Sequence, residues 1–417
     1  MNLTTLQGSR LALIECRAGY LLFCPDSLAL SRIGAKERSV ALDIAQRISR
    51  IWPTARPASE VRMSENLFVT VCLTQRCNLH CAYCYGHGDT PDWPKIAKPT
   101  DRATFREYLR LEIDRAFRTK PAKLGINFFG GEPLLFAREV KAFTRLVKEM
   151  AGQHGIPVEL GLTTNGTLLG HRFLDWALGE GIRIMVSIDS PAHLHDTVRS
   201  RGCLNATYAQ IMDRVRGYQT ELTAVTTITR QTPSIRGSLE GLLNEGFKEA
   251  SFNIVHTRDP RFSICADDAR RFLEQLDAEQ SWFGDNANRI GNLRRMHNLL
   301  LKRTPKACPC SAGIGGFAIG PDCERYFCHG CVGDSSWRIQ RNASLRTLKL
   351  PSTFGALTDI PECCCCWAKG LCGGDCWLIR RDYSQTERID RCSIIRGLAL
   401  LAFSTFPSAV ARMCRGD

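Results

Sequence analysis

Cys77-Asn78-Leu79-His80-Cys81-Ala82-Tyr83-Cys84 places three thiols within eight residues in the spacing CxxxCxxC. Three thiolates on one short loop under-ligate a cubane iron–sulfur cluster, whose fourth iron then stays open to another ligand. A zinc site would instead ask for a fourth protein donor, which His80 or His87 could supply. The loop alone leaves both readings open, and its surroundings decide between them.

Outward from the loop, short β-branched or aromatic runs recur at residues 67–73, 125–129, 158–163, 182–188, 223–228 and 250–255. Helical stretches such as 103–117, 138–153 and 171–179 fall between them. Strand and helix alternating over six units predict parallel strands joined by crossover helices. The unusual residues follow strand ends: the Cys triad after the first, Gly130-Gly131-Glu132-Pro133 after the second, Thr163 to Thr167 at the third, and Ser187 to Pro191 at the fourth. That is the face on which barrel enzymes build active sites. The expected divisions are residues 1–62, an appendage of two strands and a helix; 63–304, the barrel and its following helices; and 305–417, a Cys- and Gly-rich region.

Composition agrees with a soluble, intracellular chain. Of 417 residues, 44% are apolar and 23% charged, which is ordinary for globular protein. The start lacks a basic stretch followed by an apolar run, so a secretory signal is not expected and the compartment is read as reducing and cytoplasmic. The apolar run 397–410 is too short to span a bilayer and reads as a buried C-terminal helix. Neither a membrane nor a nucleic acid is an expected partner. The formal charge of +13 permits an acidic partner without identifying one. In residues 286–309, Arg289, Arg294, Arg295, Lys302, Arg303 and Lys306 stand with no acidic neighbour; a solvated helix face is favoured over a docking site.

The 21 cysteines are segregated, with twelve between Cys308 and Cys392. In a reducing compartment that richness points to metal rather than disulfides. Cys16, Cys24, Cys72, Cys203, Cys265 and Cys414 lack ligand spacing and read as small buried residues. Gly313-x-Gly315-Gly316 has no following helix pattern and is set aside as a nucleotide fingerprint.

On the triad, Gly130-Gly131-Glu132 and the strand-end residues, the chain closely resembles the radical S-adenosylmethionine superfamily over residues 66–255. The resemblance implies an α/β fold, a partial (β/α)6 TIM-like barrel. It implies that Cys77, Cys81 and Cys84 hold a [4Fe–4S] cluster and that S-adenosylmethionine occupies the open iron. Reductive cleavage then gives a 5′-deoxyadenosyl radical that abstracts hydrogen. By the same resemblance Tyr83 lies beside the adenine, while Gly130, Gly131 and Glu132 receive the methionine ammonium. Asn165, Ser187 and Asp189 are further cofactor contacts. The run His195-Asp196-Thr197-Val198-Arg199 fits the segment after the fourth strand; without the family it reads as a solvated loop.

The C-terminal cysteines resemble the SPASM extension, a Cys-rich iron–sulfur domain. The resemblance assigns Cys363, Cys366, Cys372 and Cys392 to an outer cluster, and Cys310, Cys328 and Cys376 to an inner one, making three [4Fe–4S] clusters in all. Cys323 stands where the family usually has Gly and is the first candidate for the missing inner ligand, with Cys308 next; Cys331, Cys364 and Cys365 read as bystanders. Zinc knuckles are the alternative for this region taken alone.

SPASM-bearing families mostly modify peptides or proteins. The implied substrate is a precursor peptide or protein side chain, oxidatively modified, with a crosslink expected first and an epimerised centre or a decarboxylation left open, and with a flavodoxin or ferredoxin as electron donor. The runner-up is a sulfatase-maturing, formylglycine-forming enzyme. That branch usually carries Asp after the cysteine equivalent to Cys328; here His329 stands there and is the candidate base. A non-catalytic zinc or iron–sulfur electron carrier is the alternative of another class, and it leaves Gly130 to Glu132 unexplained.

Overall fold

The computed structural model describes residues 3–5, 11–16, 19–33, 38–51, 65–86, 97–199, 207–344, 357 and 360–413. Strands β1 (Leu3–Thr5), β2 (Ala12–Cys16), β3 (Gly19–Cys24) and β4 (Ala29–Ile33) form an antiparallel meander, followed by the helix Arg38–Ile51. The appendage thus has four strands where the sequence pattern suggests two.

Strands β5 (Leu67–Thr74), β6 (Leu124–Gly130), β7 (Val158–Thr164), β8 (Arg183–Ser187), β9 (Thr223–Ile228) and β10 (Glu249–Ile254) lie side by side in chain order, all parallel. Beyond β5 the sheet continues through β11 (Gly316–Ile319), β12 (Arg325–Tyr326) and β13 (Arg338–Ile339), so β5 and β10 are not neighbours and the barrel is open. This is the mixed α/β, partial-barrel fold that the six-unit alternation predicts.

The crossover helices carry their own signals. Asp101 caps Arg102–Arg118 by accepting from the Ala103 and Thr104 N–H groups, and Phe105, Leu109, Ile113 and Ala116 bury one stripe of that helix. Gly155 ends Ala137–His154 at φ 64°, the left-handed stop that glycine adopts freely. Cys265 begins Ala266–Ala278 with its thiol 3.1 Å from Asp268, a capping role rather than the apolar one expected. Cys24 and Cys72 are buried as expected. His87, Cys203, Cys414 and the Cys16 side chain lie outside the described residues.

The basic segment is exposed at Arg289, Arg294, Arg295, Lys302 and Arg303, as a solvated face is, and two of these side chains also tether it. Arg289 donates to the carbonyls of Leu243 and Phe247, and Arg294 pairs with Glu249, tying the helix Gly291–Lys302 to β10. The C-terminal helix Gln385–Met413 returns across the barrel's outer layer and packs on the helices Ala266–Ala278, Gln280–Asp285 and Gly291–Lys302. Among the described residues no helix is long and apolar enough to cross a membrane.

The appendage seats on this C-terminal region. Phe403, 1% exposed, meets Phe23 edge-on at 4.6 Å and Trp367 at 6.2 Å, and Lys369 pairs with Asp26 at 3.0 Å. Phe403→Ala should cost about 3–5 kcal/mol through lost burial and the cavity left behind, read as a lowered urea midpoint at unchanged slope.

Candidate active site

The loop after β5 carries the first cysteines, and β6 ends against its backbone. Gly131 N–H donates to the Thr74 carbonyl at 2.8 Å, and Glu132 N–H to that of Arg76 at 2.9 Å. A Cβ on Gly130 would stand 2.1 Å from the Thr74 oxygen, and one on Gly131 would stand 2.1 Å from the Arg76 oxygen. Gly130 also sits at φ 134°, which a side chain would resist. The glycine pair therefore lets the cysteine loop lie directly on the end of β6.

Glu132 is fully buried. One carboxylate oxygen accepts from Leu134 N–H at 2.9 Å and Thr164 Oγ1 at 2.8 Å, and the other from Asn165 N–H at 2.8 Å. Burial raises its pKa, and these three donors oppose the rise. Asn165 carries the connection onward. Its Nδ2 donates to Asn78 Oδ1 at 2.9 Å and reaches Cys77 Sγ at 3.7 Å, while its Oδ1 accepts from Thr167. The ends of β6 and β7 thus hold the first thiol in place.

A second network fixes the aromatic residue between Cys81 and Cys84. Asp189 is buried, and Arg199 grips it at 2.9 and 3.1 Å. Tyr83 Oη, Thr226 Oγ1 and Thr227 N–H also donate to its oxygens. Burial would raise the Asp189 pKa, but Arg199 together with the Tyr83 and Thr227 hydrogen bonds outweighs it and holds the group below the usual carboxylate range. Its oxygens therefore serve Tyr83 and Arg199. The Arg199 guanidinium lies 5.5 Å over the Tyr83 ring. Ser187 closes β8 in register with Val225.

His195 and Asp196 lie on the helix Ala192–Arg199, not on a solvated loop. His195 is fully buried, accepts the Asp189 N–H at 3.1 Å, and is held neutral by burial, which drops its pKa to about 4. Asp196 instead receives Tyr208 N–H at 2.9 Å.

The thiols of the triad lie within electrostatic reach of one another. Burial pushes Cys81 up to about 12, and the charges of Cys84 and Cys77 add to it; Cys77 is raised by burial and by Glu132 and Cys84. Clustered thiols that repel one another as thiolates suit a bound cationic iron, which relieves the repulsion and displaces the protons. His80, one of the donors the zinc reading would use, is exposed. Among the described residues no three Cys, His, Asp or Glu side chains converge as a single-ion site requires.

The C-terminal cysteines fall into two further sets. Cys363 feels Cys372 and Cys366, and Cys392 feels Cys372 and Cys363. Cys376 feels Cys328 and Cys310, and Cys310 feels Cys328. Cys323 lies apart, in the turn between β11 and β12, with Thr100, Asp322 and Arg341 about it.

The loop of the first cysteines is joined to this region. Gln75 Nε2 donates to the Val332 carbonyl at 2.9 Å. Tyr85, beside Cys84, lies 6.1 Å from the His329 ring and stacks toward His256 at 6.5 Å, while Phe129 packs on His329 at 4.4 Å. His256 pairs with Asp382 at 3.3 Å. Neither Tyr85 nor the His256–Asp382 pair is marked by the sequence, apart from Tyr85 following Cys84 directly; Arg199 closes a run that is legible, although its grip on Asp189 is not.

Residues 71–234 match the model of the Radical SAM superfamily. The chain is 25% identical over 332 residues to a cysteine-type anaerobic sulfatase-maturating enzyme of Clostridium perfringens, covering 72% of this chain and 85% of the relative. Among solved structures it is similar to native anSMEcpe with bound AdoMet, at TM-score 0.65 and 20% identity over 83% of this chain and 100% of that one. The same protein with AdoMet and Cp18Cys peptide aligns at TM-score 0.65 and 20% identity, over 84% and 99%.

Gly131→Ala drives a methyl group into the Arg76 carbonyl and should displace the first cysteine loop. After anaerobic reconstitution, iron should fall by about four atoms per chain relative to the parent, the complement of one cubane.

Proposed function

We propose that this chain, which belongs to the radical S-adenosylmethionine superfamily and carries a SPASM-type C-terminal region, oxidatively modifies a side chain of a ribosomally made precursor peptide. The observation that carries the reading is the meeting of the two cysteine groups. Cys84 and Cys328 lie far apart in sequence, yet their neighbours Tyr85 and His329 stand 6.1 Å apart at the ends of the strands. A substrate radical formed there has an electron acceptor within the same chain, which supports a net oxidation and crosslinking as the preferred outcome.

The [4Fe–4S] cluster with S-adenosylmethionine supplies a 5′-deoxyadenosyl radical when bound. Cys77, Cys81 and Cys84 would hold that cluster. Gly130, Gly131 and Glu132 shape the floor beside it, and Asn165 orients Cys77. Asp189 and Arg199 fix the Tyr83 ring against which an adenine can lie, and Ser187 closes the adjoining strand. His329 is the proposed base that accepts a proton from the substrate; Phe129 and Tyr85 pack against its ring.

Two auxiliary clusters complete the reading, with Cys363, Cys366, Cys372 and Cys392 on the outer one and Cys310, Cys328 and Cys376 on the inner. A flavodoxin or ferredoxin in the cytoplasm is the fitting electron donor. Residues 1–62, 63–304 and 305–417 remain the proposed divisions, although β11 to β13 extend the barrel's own sheet. Formylglycine formation in a sulfatase is the second reading; the similarity to the Clostridium perfringens enzyme favours it, and His329 in place of the usual Asp weighs against it.

Anaerobic reconstitution followed by dithionite and S-adenosylmethionine should yield 5′-deoxyadenosine, and replacing the three triad cysteines with Ala should abolish it. With the precursor peptide encoded beside this gene, mass spectrometry should read a loss of about 2 Da per modification, one two-electron oxidation. An unchanged peptide together with active cofactor cleavage counts against this substrate, and conversion of a sulfatase Cys or Ser to formylglycine selects the second reading.

A further inference from the structure

We propose that Cys331 is the fourth protein ligand of the inner auxiliary cluster, with Cys310, Cys328 and Cys376 as the other three. The inference rests on the auxiliary-cluster reading above and departs from the expectation that Cys323 fills the place.

Cys328 caps a single 3-10 turn, His329–Cys331, and Cys331 N–H donates to the Cys328 carbonyl at 3.0 Å. That hydrogen bond closes one tight turn, which brings residue 331 back beside residue 328. The two thiols are thereby neighbours, each acting on the other. Cys331 is 1% exposed, with Cys376 and Arg381 as its other charged neighbours. It thus lies beside Cys328 and within electrostatic reach of Cys376, two of the three assigned ligands. A buried thiol in that position completes four cysteines around one cubane.

Cys323 lies elsewhere for a backbone reason. It occupies a left-handed position at φ 57°, and its N–H donates to the Gly320 carbonyl in the turn that joins β11 to β12. Glycine is the default residue for such a position. Cys323 and Cys328 stand on opposite sides of β12 along the chain. The Cys323 thiol faces Thr100, at the start of the first crossover helix. Cys308 is turned away in another manner, since its thiol donates to the Cys310 carbonyl at 3.2 Å.

The test uses the full chain with Cys77, Cys81 and Cys84 replaced by Ala, so that only auxiliary clusters load. This parent should take up about eight iron atoms, four per cubane. Adding Cys331→Ala should lower that to between about four and seven and produce a [3Fe–4S] EPR signal, as the unligated iron or the whole inner cluster is lost. Cys331→Ser should keep about eight iron atoms with an altered EPR spectrum in the reduced state, because oxygen replaces sulfur on one iron. Cys323→Ala and Cys308→Ala should match the parent. Should the Ala variant lose both clusters, the Ser variant decides. Parent-like iron and spectra in either Cys331 variant overturn the proposal, as does equal loss from Cys323→Ala or Cys308→Ala. A parent holding about four iron atoms also overturns it. None of these outcomes touches 5′-deoxyadenosine formation by the unaltered chain, which tests the functional reading separately.

Discussion

The mouth of the barrel is organised by one buried carboxylate. Taking Glu132 out of water costs several kcal/mol, and hydrogen bonds to a charged group return about 1.5–3 kcal/mol each. Its three donors come from the residue after Pro133 and from the end of β7, so the charge is tolerated only when β6 and β7 are in register and the turn after β6 is closed. Asn165, placed by that same carboxylate, then reaches the cysteine loop. An interaction between two strand ends thereby becomes a constraint on a thiol in a third segment. Gly130 and Gly131 are needed for the same reason, since the loop rests directly on their backbone.

The second constraint is the charge pair of Asp189 and Arg199. A buried ion pair contributes little net stability, because desolvation cancels much of its attraction. Its value here is positional. Arg199 lies on the helix after β8, Asp189 on the turn before that helix, and Thr226 and Thr227 on β9, so the pair pins one helix across two strand ends. Tyr83 is captured in the process. His195 completes the arrangement as a neutral acceptor, a role open to it only because burial keeps the ring unprotonated.

The barrel was legible because its signals are local: six apolar runs, their helical spacers and polar residues at strand ends. Cys77, Cys81, Cys84 and Glu132 announced themselves by spacing and by neighbouring glycines. Other features depended on long-range contact and left no local trace. Arg289 and Arg294 read as solvated and are exposed, but the partners they also hold, the Leu243 and Phe247 carbonyls and Glu249, lie far off in sequence. Cys265 has the composition of a core residue and the position of a cap. Asp189, a cofactor contact by resemblance, also has protein partners in Arg199, Tyr83, Thr226 and Thr227 that the sequence does not mark. The strands β12 and β13 are two residues each, too short for any periodicity to register.

That short pair of strands has a consequence out of proportion to its length. β11 adds in parallel to β5, the strand that leads into the first cysteine loop, and β12 leads directly into Cys328. The sheet therefore runs without interruption from one cysteine group to the other. Gln75 bonds Val332, and Tyr85 packs near His329, across the same junction. A hinge between the groups would have to break ladder hydrogen bonds as well as side-chain contacts. Because electron transfer weakens steeply with distance, a chain that must move an electron between two centres gains from a fixed separation. Continuity of the sheet holds the segments that carry the two cysteine groups at a fixed separation.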